Sequence, residues 1–132
     1  MLKKPITYTD YNGVERTDDF YFNLSKAELM EMELGVTGGM TEMLNKIIAA
    51  KDAPSLMKTF KEMIMKSYGI NSDDGKRLIK SEELSIAFTQ TEAYSVLFME
   101  LITDDKAAAD FVNGIIPNEI QAEVAAQTAQ NN

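Results

Sequence analysis

Ile6-Thr7-Tyr8-Thr9-Asp10-Tyr11-Asn12-Gly13-Val14 decides how the fold begins. Ile6, Tyr8 and Asp10 alternate with Thr7 and Thr9, the period of a strand, and Asn12-Gly13 is the strongest short turn signal in an L-chain. Beyond it, Val14, Phe20, Phe22 and Leu24 share one parity. Two registers compete. A two-residue loop, Asn12-Gly13, pairs Tyr8 with Thr17 and Ile6 with Asp19, mixing apolar and polar groups on each face. A three-residue loop, Tyr11-Asn12-Gly13, with Gly13 left-handed in a bulge, pairs Asp10 with Val14, Tyr8 with Arg16 and Lys4 with Phe20. Ile6, Tyr8, Phe20 and Phe22 then share a face. A one-residue slip exchanges the faces, so the three-residue loop is the expected register. A lone hairpin is marginal in water, so that face requires helices to cover it.

From Ser25 onward the period becomes helical. Ser25-Lys26-Ala27-Glu28 is a capping box, followed by Leu29, Met30, Met32 and Leu34 before Gly35 stops the turn. Gly38-Gly39 marks a joint, and Met40, Met43, Leu44, Ile47 and Ile48 form a helical stripe. Pro54 suits a first helical turn; Met57, Phe60, Met63, Ile64 and Tyr68 make the next stripe, which Gly69 closes. Asn71-Ser72-Asp73-Asp74-Gly75-Lys76-Arg77 reads as a loop that Ile70 and Leu78-Ile79-Lys80 flank as a small second hairpin. Ser81 caps a helix with Leu84, Ile86, Ala87 and Phe88. Thr89-Gln90-Thr91-Glu92 reads as a second capping box, ahead of Ala93, Tyr94, Leu97, Phe98, Leu101 and Ile102. Thr103 or Asp104 caps a further helix with Ala107, Ala108, Phe111, Val112 and Ile115, whose end Gly114 weakens.

The expected fold is therefore α+β, mainly α: an N-terminal β-hairpin, residues 1–24, packed on about five to seven short helices. Residues 1–117 are expected to form a single globular domain, and 118–132 a partly helical tail that frays.

Charge is distributed unevenly. Residues 1–81 are neutral, whereas 82–132 hold nine acids (Glu82, Glu83, Glu92, Glu100, Asp104, Asp105, Asp110, Glu119, Glu123) against Lys106, the full net charge of −8. Such a lobe repels nucleic acid and attracts a basic protein surface. With two arginines and lysines dispersed among acids, nucleic acid is not an expected partner. The lysines of residues 46–66 read as a solvated helix face. No apolar run approaches the ~20 residues of a membrane helix, and nothing behind Lys3-Lys4 resembles a signal peptide, so cytoplasm without membrane is the expected setting.

Catalysis is not expected. The chain has no His and no Cys, which removes the commonest base, nucleophile and transition-metal ligands. The adjacent acid pairs Asp18-Asp19, Asp73-Asp74, Glu82-Glu83 and Asp104-Asp105 are read as lying in turns or helix starts, where acids cap amides. The Asn71–Gly75 loop fails as a calcium site. With Gly75 at the sixth position, Ile70 and Ser81 would fall on the first and twelfth ligands. Gly38-Gly39 lacks the spacing of a phosphate loop. No metal and no cofactor is expected.

The positive signal is methionine: nine in all, seven of them within residues 30–65. Flexible thioethers suit surfaces that accept varied apolar partners, although most here are expected in the core. Met65 lies roughly 140° from Phe60 on a helical wheel and is the best candidate for an exposed contact. The candidate partner-binding residues are Met30, Met32, Met65, Glu92, Glu100, Asp104 and Asp105.

Four stretches carry a resemblance: Phe20-Tyr21-Phe22-Asn23-Leu24-Ser25, Ile79-Lys80-Ser81-Glu82-Glu83-Leu84, Thr89-Gln90-Thr91-Glu92-Ala93-Tyr94, and Ala109-Asp110-Phe111-Val112-Asn113-Gly114-Ile115-Ile116-Pro117. In layout and phrase the chain resembles the tail assembly chaperones of long-tailed, siphovirus-like bacteriophages. The resemblance implies a host-cytoplasmic protein that binds and solubilises the tape measure protein. It implies recruitment of major tail (tube) protein, self-association or multiple copies along the partner, and absence from the mature virion. In that family a frameshift often produces a longer product with the same N-terminal part. The rival readings are a structural component of the tail or head–tail junction, and a small acidic host-interaction module.

Overall fold

The computed structural model describes residues 1–31 and 53–117. Strands β1 (Leu2–Thr9) and β2 (Glu15–Phe22) form the expected hairpin in the expected register, with Tyr8 opposite Arg16 and Lys4 opposite Phe20. Gly13 adopts φ 79°, and Asp10 donates its N–H to the Val14 carbonyl at 2.9 Å. Only glycine enters that region of φ without strain. The Asp10 carboxylate closes the loop by accepting from the N–H groups of Asn12 (2.9 Å) and Val14 (3.0 Å) and from the Arg16 guanidinium.

The Asp10–Val14 bond also sets the phase of the ladder. Even-numbered residues of β1 bond to β2, and Lys3, Pro5, Thr7 and Thr9 point their backbone groups at the outer edge. Pro5, with no N–H to offer, sits where a missing donor costs least and blunts that edge against further strands.

Two short strands extend the sheet. β3 (Tyr68–Asn71) pairs Tyr21 with Gly69 and Phe22 with Tyr68; β4 (Leu78–Ile79) pairs with β3 through Ile70–Ile79 and Asn71–Leu78. The result is one antiparallel sheet, ordered β1-β2-β3-β4. The second hairpin is thus present, but it belongs to the same sheet as the first. Its loop is self-contained: Gly75 takes φ 73°, and Asp74 accepts from the Ser72 hydroxyl (2.7 Å) and the Lys76 N–H (3.0 Å).

Five helices are found among the described residues, the lower bound of the expectation: α1 (Lys26–Glu31), α2 (Ala53–Ser67), α3 (Glu82–Thr89), α4 (Glu92–Thr103) and α5 (Asp105–Ile115). The Ser25–Glu28 capping box is complete, with the Ser25 N–H on Glu28 Oε1 (2.9 Å) and the Glu28 N–H on Ser25 Oγ (3.1 Å). Ser81 caps α3 through the Leu84 N–H at 3.0 Å. The Gly35 stop, the Gly38-Gly39 joint, the Met40–Ile48 stripe and the 118–132 tail lie outside the described residues.

Three local readings are corrected. Tyr68 and Gly69 do not end a helix; they begin β3. Tyr68 is drawn there by stacking on Phe88 at 4.4 Å, and a Cβ on Gly69 would lie 2.6 Å from the Leu78 side chain. Tertiary packing outweighs the helical period. Thr89-Gln90-Thr91-Glu92 is not a box capped by Thr89. Thr89 closes α3, its hydroxyl donating to the Ile86 carbonyl, and Thr91 is the N-cap of α4. Asp18-Asp19 lies within β2 rather than in a turn, with Asp18 accepting from Tyr8 Oη at 2.6 Å and Asp19 3.6 Å from Lys3 Nζ.

The core lies between the inner sheet face and the helices. Phe22, Leu24, Leu29, Phe60, Ile64, Leu97, Val112 and Ile115 are fully buried. Phe88 is its aromatic hub, touching Phe20, Phe22, Tyr68 and Tyr94 at ring separations of 4.4–5.9 Å. Burying each such ring contributes about 1.5–3 kcal/mol. Buried Ser67 and Ser85 are satisfied, their hydroxyls donating to the carbonyls of Met63 and Met65.

Candidate partner-binding surface

Helix α4 forms where it does because Thr91 Oγ1 takes the Tyr94 N–H at 3.2 Å and because its apolar groups recur at helical spacing. Ala93, Leu97 and Leu101 are buried, and Tyr94, Phe98 and Ile102 pack against them. The opposite face is different. At 100° per residue, Glu92, Val96, Met99 and Thr103 fall within about 60° of one another. Val96 and Met99 are exposed at 42% and 52%.

The strip carries acids on it and beside it, Glu92 within and Glu100 at its edge, both close to the hairpin. Interaction with the Glu92 carboxylate raises the Tyr11 pKa, and Lys4 Nζ lies 3.4 Å from Glu100 Oε1. Tyr11 itself is 77% exposed, so an aromatic ring continues the strip onto the hairpin loop. At the far end, Asp104 caps α5, accepting from the N–H groups of Lys106 (3.0 Å) and Ala107 (3.1 Å), and Asp105 is exposed in the first turn.

Four of the seven residues singled out by sequence, Glu92, Glu100, Asp104 and Asp105, are therefore placed along α4 and its exit. The methionines are not with them. Met30 is exposed on α1, and Met65 is half-buried on α2. Met32 lies outside the described residues. Val96, Met99 and Tyr11 were missed. The wheel argument applied to Met65 would have found the first two, since they lie off the stripe that Leu97 and Leu101 define.

Met65 lines a second feature, an open cleft of about 450 Å³ between α2 and the start of α3, together with Glu62, Lys66, Glu82 and Ser85. At its margin Lys80 is already engaged, its ammonium donating to the Asn23 carbonyl and to Glu28 Oε2 (2.6 Å). Desolvation pushes the Glu28 pKa up, but Lys80 and the Ser25 N–H together outweigh it and hold the carboxyl below its ordinary value. Among the described residues, no group of three or more His, Cys, Asp or Glu is placed to hold a metal ion. No described helix is long and apolar enough to cross a membrane.

These surfaces offer apolar contact and fixed negative charge, the ingredients of a docking protein. The family model described as phage tail assembly chaperone matches residues 1–132. The chain belongs to the phage tail assembly chaperone family. No curated protein and no solved structure matches it. The strip on α4 and the side chains of Met30 and Met57 are exposed apolar surface.

Proposed function

We propose that this chaperone binds and solubilises the tape measure protein of a long-tailed phage in the host cytoplasm. It helps recruit tail tube subunits, and leaves before the virion is complete. The match of the family model over the whole chain carries this reading. Its physical content is a division of labour. Exposed Met30 and Met57, with Met65 in its cleft, supply adaptable apolar contacts for a long helical partner whose own apolar stripe would otherwise aggregate. The acids of α3, α4 and α5 keep the coated complex soluble by mutual repulsion and attract basic tube subunits. Weak individual contacts suffice, because several copies along one partner add up through avidity. The reading assigns no catalytic step.

Co-expression tests it. With the chaperone, the tape measure protein is recovered in the soluble fraction; without it, the protein pellets. Equal solubility in both cases contradicts the reading.

A further inference from the structure

We propose that the outer face of α4 is a seat for a basic amphipathic helix, Val96 and Met99 taking its apolar stripe and Glu92 and Glu100 its cations. This inference rests on the chaperone reading and deepens it by naming where the partner lies and what chemistry it carries.

Isolated exposed apolar side chains are ordinary. Val96 and Met99 are not isolated in this sense: they sit three residues apart on one stripe of a helix whose opposite face supplies the core. Helix-in-groove recognition uses such i, i+3 anchors. The exposed Tyr11 ring, near enough to Glu92 to feel its charge, lengthens the apolar surface onto the hairpin loop.

The charge at the rim selects the occupant. Glu92 lies on the strip itself and Glu100 about 80° round the helix, on the Val96 side, with about 12 Å between them along the axis. Cations bordering the apolar stripe of that helix come within reach of the two carboxylates. Asp104 and Asp105 extend the same sign past the end of α4, against Lys4 and Lys106 as local cations. A helix with acidic flanks is repelled from the same rim.

One of the two carboxylates already has a cation beside it: Lys4 Nζ lies 3.4 Å from Glu100 Oε1. An exposed pair of this kind is weak, so a partner cation can join or replace the internal one at little cost.

Two synthetic helical peptides with identical apolar positions, one flanked by Lys and one by Glu, distinguish the outcomes by fluorescence anisotropy on the full chain. The Lys peptide is expected to bind at least about tenfold more tightly than the Glu peptide, with affinity falling as salt rises. The double substitution Val96→Asp, Met99→Asp is expected to weaken it by about tenfold or more, and Glu92→Gln, Glu100→Gln to remove most of the salt dependence. Ile86→Asp, an equally exposed apolar position on α3, should change neither. Far-ultraviolet circular dichroism checks folding, and Val96→Ser, Met99→Ser replaces the aspartates if they unfold the chain. Equal binding of both peptides, or binding unaffected by either double variant, overturns the seat. Co-expression separates the two levels. Wild-type chain that fails to solubilise the tape measure protein defeats the chaperone reading. A wild-type chain that solubilises it, but whose Lys-peptide binding Val96→Asp, Met99→Asp leaves unchanged, defeats only the seat.

Discussion

In the two hairpins, carboxylates are used up by the fold. Asp10 closes the β1–β2 loop, Asp18 accepts from Tyr8, Asp19 faces Lys3, and Asp74 organises the β3–β4 loop. On α3 and α5, Glu82, Glu83, Asp105 and Asp110 make no ion pair with any described residue. The first three of these sit in first turns, where the helix dipole returns a few tenths of a kcal/mol each, and the remainder of their field points into solvent. The contrast is one of charge and not of packing: both parts supply the core, but the hairpins spend their carboxylates on the fold while α3 and α5 keep theirs free to act on something else.

Phe88→Ala should produce the largest effect, because this ring joins both regions. A loss of about 3–5 kcal/mol is expected, read as a lowered Tm. Sheet and helix signals should still melt together; separate transitions would show that the two regions are independent units.

Asp104→Ala should cost about 1 kcal/mol, since Asp104 has a capping duty in the charged region, accepting two amide bonds at the start of α5. Chemical denaturation measures it, and a neutral result would remove the distinction between Asp104 and its neighbours.

Glu28→Gln should cost about 1 kcal/mol at pH 7, after allowing for the solvent screening of a side chain about one-third exposed. The pH dependence is the sharper test. The folded pKa lies below the ordinary 4.5, so the contribution is complete above that value and is lost as pH falls through the depressed one. The variant should show a flatter acid limb.

Asp110→Asn should change stability by less than about 0.5 kcal/mol, as expected for a surface acid without a partner. A larger loss would mean that the outward acids are structural after all.

The hairpin register was legible because Gly13 must be left-handed and because a slip would turn Ile6 and Phe22 to solvent. The capping box at Ser25 and the inward stripes of α4 and α5 were legible for the same local reasons. What was not legible came from distant contacts. Tyr68 continued a helical period convincingly, yet pairing with Phe22 and stacking on Phe88 made it a strand residue. Within the candidate surface, the acids were found from their number alone. Val96 and Met99 were overlooked because attention fell on the methionine cluster of residues 30–65, of which Met63 turns out to be core.

The central claim is that this chain accompanies another polypeptide during assembly and then departs. Quantitative mass spectrometry of tape-measure complexes from lysed cells, set beside purified mature particles, tests it most directly. The account predicts the chain bound to the tape measure protein in the first sample and missing from the second. Its stoichiometric presence in finished particles, or its absence from the complexes, would contradict it.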